Sequence, residues 1–190
     1  MGMPQLKHPG YTVEEWATWE GHWELINGVA YAMAPPTLEH QRVSRQLSQA
    51  IGMVLDETRR KSGNGDCEVF YAPCGLFLAG SETALEPDLM VVCDPGKKSV
   101  RGIEGPPDLV VEILSPSTAQ KDLTRKRWTY EAAGVPEYLI VDSEDHWGLL
   151  LRLENGRYQE ACRIEWGGLL PLLGGRLPIT LGPGGDPPGL

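Results

Sequence analysis

Glu86-Pro87-Asp88-Leu89-Met90-Val91-Val92 and, further along, Asp108-Leu109-Val110-Val111-Glu112-Ile113-Leu114-Ser115 are the two runs on which the fold turns. Both are rich in β-branched and apolar residues and both are bounded by turn formers, so each reads as a strand. Alternate side chains share a face of a strand, which aligns Asp88 with Met90 and Val92, and Glu112 with Val110 and Leu114. A carboxylate among apolar neighbours is costly to bury unless its charge is compensated. If the strands are neighbours, Asp88 and Glu112 can converge on one divalent cation, which takes oxygen ligands and keeps waters.

The segment that follows supplies a helix and a third strand. Ser117-Thr118-Ala119-Gln120, just after Pro116, has a capping-box start, and Gly134-Val135-Pro136 supplies the stop. At the helical period Ala119, Leu123, Lys126, Tyr130 and Ala133 share one stripe, with Trp128 opposite. Lysine is almost never fully buried without a partner, so Lys126 on the sheet-facing stripe is expected to aim its ammonium at the two carboxylates. The competing reading is an i,i+4 pair with Asp122, good for about 0.2–0.5 kcal/mol, or a stem that snorkels to water. Glu137 to Asp142 reads as a buried strand, and strand–helix–strand at this spacing implies a right-handed crossover and a parallel pair.

Upstream, Thr12-Val13-Glu14-Glu15 is a capping box opening a short helix with Trp16 and Trp19. Trp23–Ile26 and Val29–Met33 flank Asn27-Gly28, a strong hairpin signal that places Glu24 on the first strand, either as part of a structural hairpin or as an outer acid of the site, which the strand alone does not decide. A long helix is expected from Leu38 to Thr58, its buried stripe made by Val43, Leu47, Ala50, Ile51 and Val54, with His40 one turn earlier. A lone histidine there is more often a core or cap residue than a catalyst. Glu39 either favours the helix N-terminus or serves as a helix-borne acid. Glu68–Ala72 and Leu76–Ala79 read as short strands. Asp94–Pro107 reads as a long Gly/Pro-rich loop, mobile and near substrate. Asn155-Gly156 joins a second hairpin, Leu169–Leu181 an apolar edge strand, and Gly182–Leu190 is expected to be disordered.

The bulk properties exclude several classes. The 190 residues suit one domain, taken as 1–181, with a sizeable core. Cys67, Cys74, Cys93 and Cys162 show no CxxC pair, so they read as reduced thiols rather than a zinc site. No apolar run spans a bilayer and no signal pattern opens the chain, so a cytoplasmic protein is expected. A net charge of −9 argues against a protein that coats nucleic acid, and the basic clusters Arg59-Arg60-Lys61, Lys97-Lys98 with Arg101, and Lys121 with Arg125 and Arg127 read as solvated faces.

Pro87-Asp88 followed by Glu112 resembles the PD-(D/E)XK nuclease superfamily, the restriction-endonuclease-like fold. More closely, Pro107–Thr118 with Asp122, Lys126 and Gly134-Val135-Pro136-Glu137-Tyr138 resembles the bacterial Uma-two endonuclease-like family, a likeness that extends to Glu24-Leu25-Ile26-Asn27-Gly28 and His40 and covers roughly residues 10 to 145. The resemblance implies an α/β fold of mixed-sheet, α+β type, a restriction-endonuclease-like core with flanking helices and added β-hairpins. It implies Mg²⁺ or Mn²⁺ on Asp88, Glu112 and the Ile113 backbone carbonyl, and a place for His40 and Glu39 near the site. It also implies hydrolysis of a DNA phosphodiester leaving a 5′-phosphate, with no membrane partner and room for a homodimer. The superfamily's lysine lies two residues past the second acid, where this chain has Leu114, so the resemblance moves that role to Lys126. Leu114 keeps two other readings open: a nuclease fold retained as a binding or scaffold protein, and an enzyme of smaller phosphoesters.

Overall fold

The computed structural model describes residues 10–62, 66–78, 80, 82–115 and 122–182. Its elements run α1 (Val13–Trp16), β1 (Trp23–Ile26), β2 (Val29–Ala32), α2 (Leu38–Ser62), β3 (Glu68–Tyr71), β4 (Leu76–Phe77), β5 (Ala84–Leu85), β6 (Leu89–Val92), β7 (Lys98–Ser99), β8 (Gly102–Glu104) and β9 (Leu109–Leu114). A π-helical turn, Asp122–Lys126, then leads into α3 (Arg127–Ala133), β10 (Glu137–Asp142), β11 (Trp147–Glu154), β12 (Arg157–Glu165), β13 (Leu169–Leu172) and β14 (Leu177–Thr180). Among the described residues the strands form two six-stranded sheets, ordered β2-β1-β5-β4-β8-β7 and β12-β11-β10-β9-β6-β3, and a two-stranded ribbon, β13-β14.

Both faces of the second sheet are covered, which is why β6, β9 and β10 read as near-continuous apolar runs. On one face Val43, Leu47, Ile51 and Leu55 of α2, with the β13-β14 ribbon, bury Leu89, Val91, Val111, Ile113 and Leu139. On the other, Tyr130 of α3 and residues of the first sheet such as Ile26, Leu76 and Leu85 bury Met90, Val110, Tyr138 and Ile140. The central register is antiparallel for β6 with β9, Leu89 opposite Val111, and parallel for β9 with β10, Glu112 opposite Ile140.

The turn chemistry behaves as the residue types dictate. Thr12 and Glu15 close the expected capping box. Asn27-Gly28 and Asn155-Gly156 all have positive φ, the backbone a two-residue hairpin turn requires. Gly134 takes the left-handed conformation that ends α3. Thr37 caps α2, its hydroxyl accepting from the His40 N–H at 3.2 Å.

Four expectations are corrected. Cys67 and Cys93 form a disulfide instead of staying thiols, while Cys74 and Cys162 are free. The register Glu68 opposite Val92 brings Cys67 and Cys93 face to face, a proximity their 26-residue separation hides. Asp94–Pro107 is a small built unit, not an open loop: β7 pairs with β8, β8 pairs with β4, and the Lys97 ammonium donates to the Pro106 carbonyl at 2.7 Å. It joins β6 to β9 at the end away from Asp88 and Glu112. Leu169–Leu181 folds back on itself as the ribbon because Leu173–Gly175 makes a turn in its middle. Finally, α2 runs on to Ser62. The expected helix start at Ser117 and the tail beyond residue 182 lie outside the described residues. Among those residues no helix is long and apolar enough to cross a membrane.

Candidate active site

Glu112 sits in the middle of β9, 3% exposed, where an unpaired carboxylate would be unstable. Its Oε1 accepts from the Lys126 ammonium at 2.8 Å and from the Tyr130 hydroxyl at 2.7 Å. Lys126 and Tyr130 are four residues apart on one helical face, so both reach the same oxygen. The ammonium is itself 3% exposed and lies 2.8 Å from Oε1 of Glu24, a β1 residue with no exposed surface. Two buried carboxylates therefore share this one ammonium. Burial, and then the Glu112 and Glu24 carboxylates, push the Tyr130 phenol well up, so it stays protonated and donates.

Asp88 stands just before β6. Continuing the Leu89–Val111 register by one pair sets it opposite Glu112, and directly opposed residues share a face of the sheet. Its Oδ2 accepts from the Ile113 N–H at 2.7 Å. The same oxygen is 3.2 Å from His40 Nε2, which donates when the proton is on that nitrogen. His40 occupies the first turn of α2, so Asp88 also faces the positive end of that helix. Glu39, next in sequence, points the other way: its side chain is 45% exposed and pairs with Arg42 at 2.9 Å.

Lys126 thus meets Glu112 and Glu24, while Asp88 meets His40 and the Ile113 backbone across the strand pair. Glu24 is the residue whose place in the site its own strand could not show, because its partners lie on another sheet and on a helix. Glu86 is a further neighbour that sequence reasoning missed. Its N–H faces Glu24 Oε1 at 3.5 Å and its carboxylate lies 3.8 Å from His22 Nδ1. Burial raises its carboxyl above the usual range; His22 and Lys126 oppose this and Glu24 adds to it. Asp108 accepts from the Cys93 N–H at 2.8 Å, tying the start of β9 to the end of β6. In the first two basic runs Lys61 pairs with Glu57, Lys98 with Glu68 and Arg101 with Glu104; in the third, Arg125 donates to the Tyr31 hydroxyl and Lys121 lies outside the described residues.

Among the described residues no three His, Cys, Asp or Glu side chains converge as a metal cage. Asp88 and Glu112 at facing positions, beside the Ile113 backbone, are nevertheless an oxygen donor set. Mg²⁺ is commonly held through one or two carboxylates and keeps its waters, so the donor chemistry fits such an ion.

The architecture is a nuclease-type fold. It is shared with a crystal structure from Anabaena variabilis, described as a "putative nuclease belonging to DUF820", at a TM-score of 0.69 and 18% identity, over 87% of this chain and 91% of that one. The chain belongs to the Uma2 family, described as "Putative restriction endonuclease", whose pattern matches residues 12–168. Two Synechocystis proteins are similar to it: slr1290 is 30% identical over 145 residues, 74% of this chain and 73% of that protein, and sll1609 is 29% identical over 147 residues, 75% of each.

Proposed function

We propose that the chain is a divalent-metal-dependent nuclease that hydrolyses phosphodiester bonds in DNA, residues 1–181 acting as one domain. The observation that carries this reading is the Lys126 ammonium, buried between Glu112 and Glu24, one strand from Asp88. Asp88, Glu112 and the Ile113 carbonyl would hold Mg²⁺ or Mn²⁺, which supplies a polarised phosphoryl oxygen and a more acidic bound water. Lys126 is held by two acids and cannot drift, so its charge is preorganised where negative charge develops at phosphorus. Tyr130 donates to the same Glu112 oxygen and helps fix that carboxylate. His40 orients Asp88 and, with one ring proton to give or take, is placed to serve proton transfer at that end. Glu39 faces solvent and is given no role.

The test is nicking of supercoiled DNA in Mn²⁺ by the wild type, Asp88→Asn and Glu112→Gln. Each variant should lose roughly 10²–10³-fold or more in rate, the scale of removing one preorganised electrostatic group, while its melting curve stays cooperative. Equal nicking by all three proteins would mean a contaminant and would sink the reading. The scaffold alternative has one observation in its favour: Leu114, at the superfamily's lysine position, is buried in the apolar core. A scaffold should show no Mn²⁺ stabilisation that depends on Asp88.

A further inference from the structure

Hairpin β1–β2 and the α3 segment meet on their inner sides around Lys126 and part on their outer sides. The space between them is a cavity of about 560 Å³, inside the roughly 300–1,000 Å³ range of small-ligand sites. Tyr31 and Val29 line one wall and Trp128 the other, with Arg125 and the polar Asn27 and Thr129 between. Trp128 is 66% exposed and Val29 51%, a large apolar surface left open to water beside a cation. The Arg125 guanidinium lies 5.2 Å from the centre of the Tyr31 ring and donates to the Tyr31 hydroxyl. Although the chain carries a net charge of −9, no Asp or Glu is among the described residues lining this cavity. Tyr31 is directly opposite Glu24 across the hairpin, so the two side chains share a face, and Arg125 directly precedes Lys126; the groove thus adjoins the acid–lysine cluster, whose own residues do not line it.

We propose that this groove docks the base of an unpaired nucleotide beside the phosphate that the Lys126 cluster handles, so that the preferred substrate is single-stranded or locally opened nucleic acid. The inference rests on the nuclease reading for what the cluster does, and names the substrate class. Any base offers a π-face that stacks on an exposed aromatic ring, and an arginine adjoining it meets the backbone charge. Bases inside a duplex are already stacked and reach such a pocket only when extruded. An apolar peptide would cover Trp128 and Val29 but would bring no anion to Arg125, and two copies of a chain of net charge −9 repel one another. Charge complementarity therefore favours a nucleotide.

The test is fluorescence anisotropy of a short labelled oligo(dT) and of a blunt duplex with the full chain, in EDTA and low salt so that nothing is cut. The single strand should bind more tightly than the duplex. Trp128→Ala and Arg125→Ala should each weaken it by about 5- to 100-fold, and Trp128→Phe, which keeps a stacking face, by no more than about threefold. Trp128 is exposed, so its truncation should leave the melting midpoint unchanged; if it does not, Trp128→Phe and Arg125→Ala carry the comparison. Unchanged affinity in Trp128→Ala and Arg125→Ala, equal binding of duplex and single strand, or a sedimenting dimer that Trp128→Ala dissolves would overturn the proposal. Tight, Trp128-dependent binding without any Mn²⁺-dependent cutting would uphold the groove and remove the nuclease reading. Cutting indifferent to Trp128 would do the reverse.

Discussion

At Lys126 a single ammonium serves two carboxylates, and the three side chains come from β1, β9 and the turn before α3. Breaking a buried ion pair by deleting one partner is expensive because the other charge stays behind in a poor solvent. Lys126→Met should therefore cost about 3–5 kcal/mol in urea unfolding. Glu24→Gln should cost less, since it leaves Lys126 its carboxylate partner in Glu112. A larger loss in Glu24→Gln than in Lys126→Met would contradict this ordering. Lys126 was legible in the sequence because a lysine on a sheet-facing stripe must find an anion. That one anion would be Glu24 was not, since nothing local links β1 to residues a hundred positions on. His40 was legible as a buried helix residue, and its contact with Asp88 depends on packing between α2 and β6 that periodicity does not encode.

The elements hold these residues by means of their ends. Glu131 of α3 accepts from the Tyr158 N–H at 2.6 Å and from Arg157 at 2.8 Å, tying the Lys126-bearing helix to the hairpin β11–β12. The Tyr158 N–H and then Arg157 hold its carboxyl below the usual range. A folded value below the unfolded one contributes stability above the unfolded value, and that contribution is lost as pH falls through the folded value. Glu131→Gln should accordingly lower the melting midpoint at neutral pH, with the difference shrinking as the pH falls into acid; a gap that widened in acid would exclude this origin. Hairpins and caps were readable here because Asn-Gly and Thr-x-x-Glu act over a few residues. The π-helical turn at Asp122–Lys126 was not, because one residue beyond the α-helical repeat leaves no mark in the pattern of apolar positions.

Across the whole molecule, stability rests on two apolar clusters on opposite faces of one sheet. Leu139, fully buried on β10, should cost about 2–5 kcal/mol when cut to alanine. The layers could be inferred from the alternation of strand and helix patterns. The order β2-β1-β5-β4-β8-β7 could not, since β4, β5 and β7 are two residues long and owe their existence to neighbours. The Cys67–Cys93 bond should contribute about 2–4 kcal/mol, read as a fall in midpoint with dithiothreitol that a Cys67→Ser, Cys93→Ser protein does not show.

That covalent bond closes the β3–β6 pair at the end farthest from Asp88. The strand works like a tongue clamped at its root, while the tip that carries Asp88 is held separately by the Ile113 N–H and His40. Opening the clamp loosens the sheet's border without moving the tip, so a reductant in the buffer should shorten the folded protein's lifetime on warming while the proposed Mn²⁺-dependent nicking in the cold holds steady.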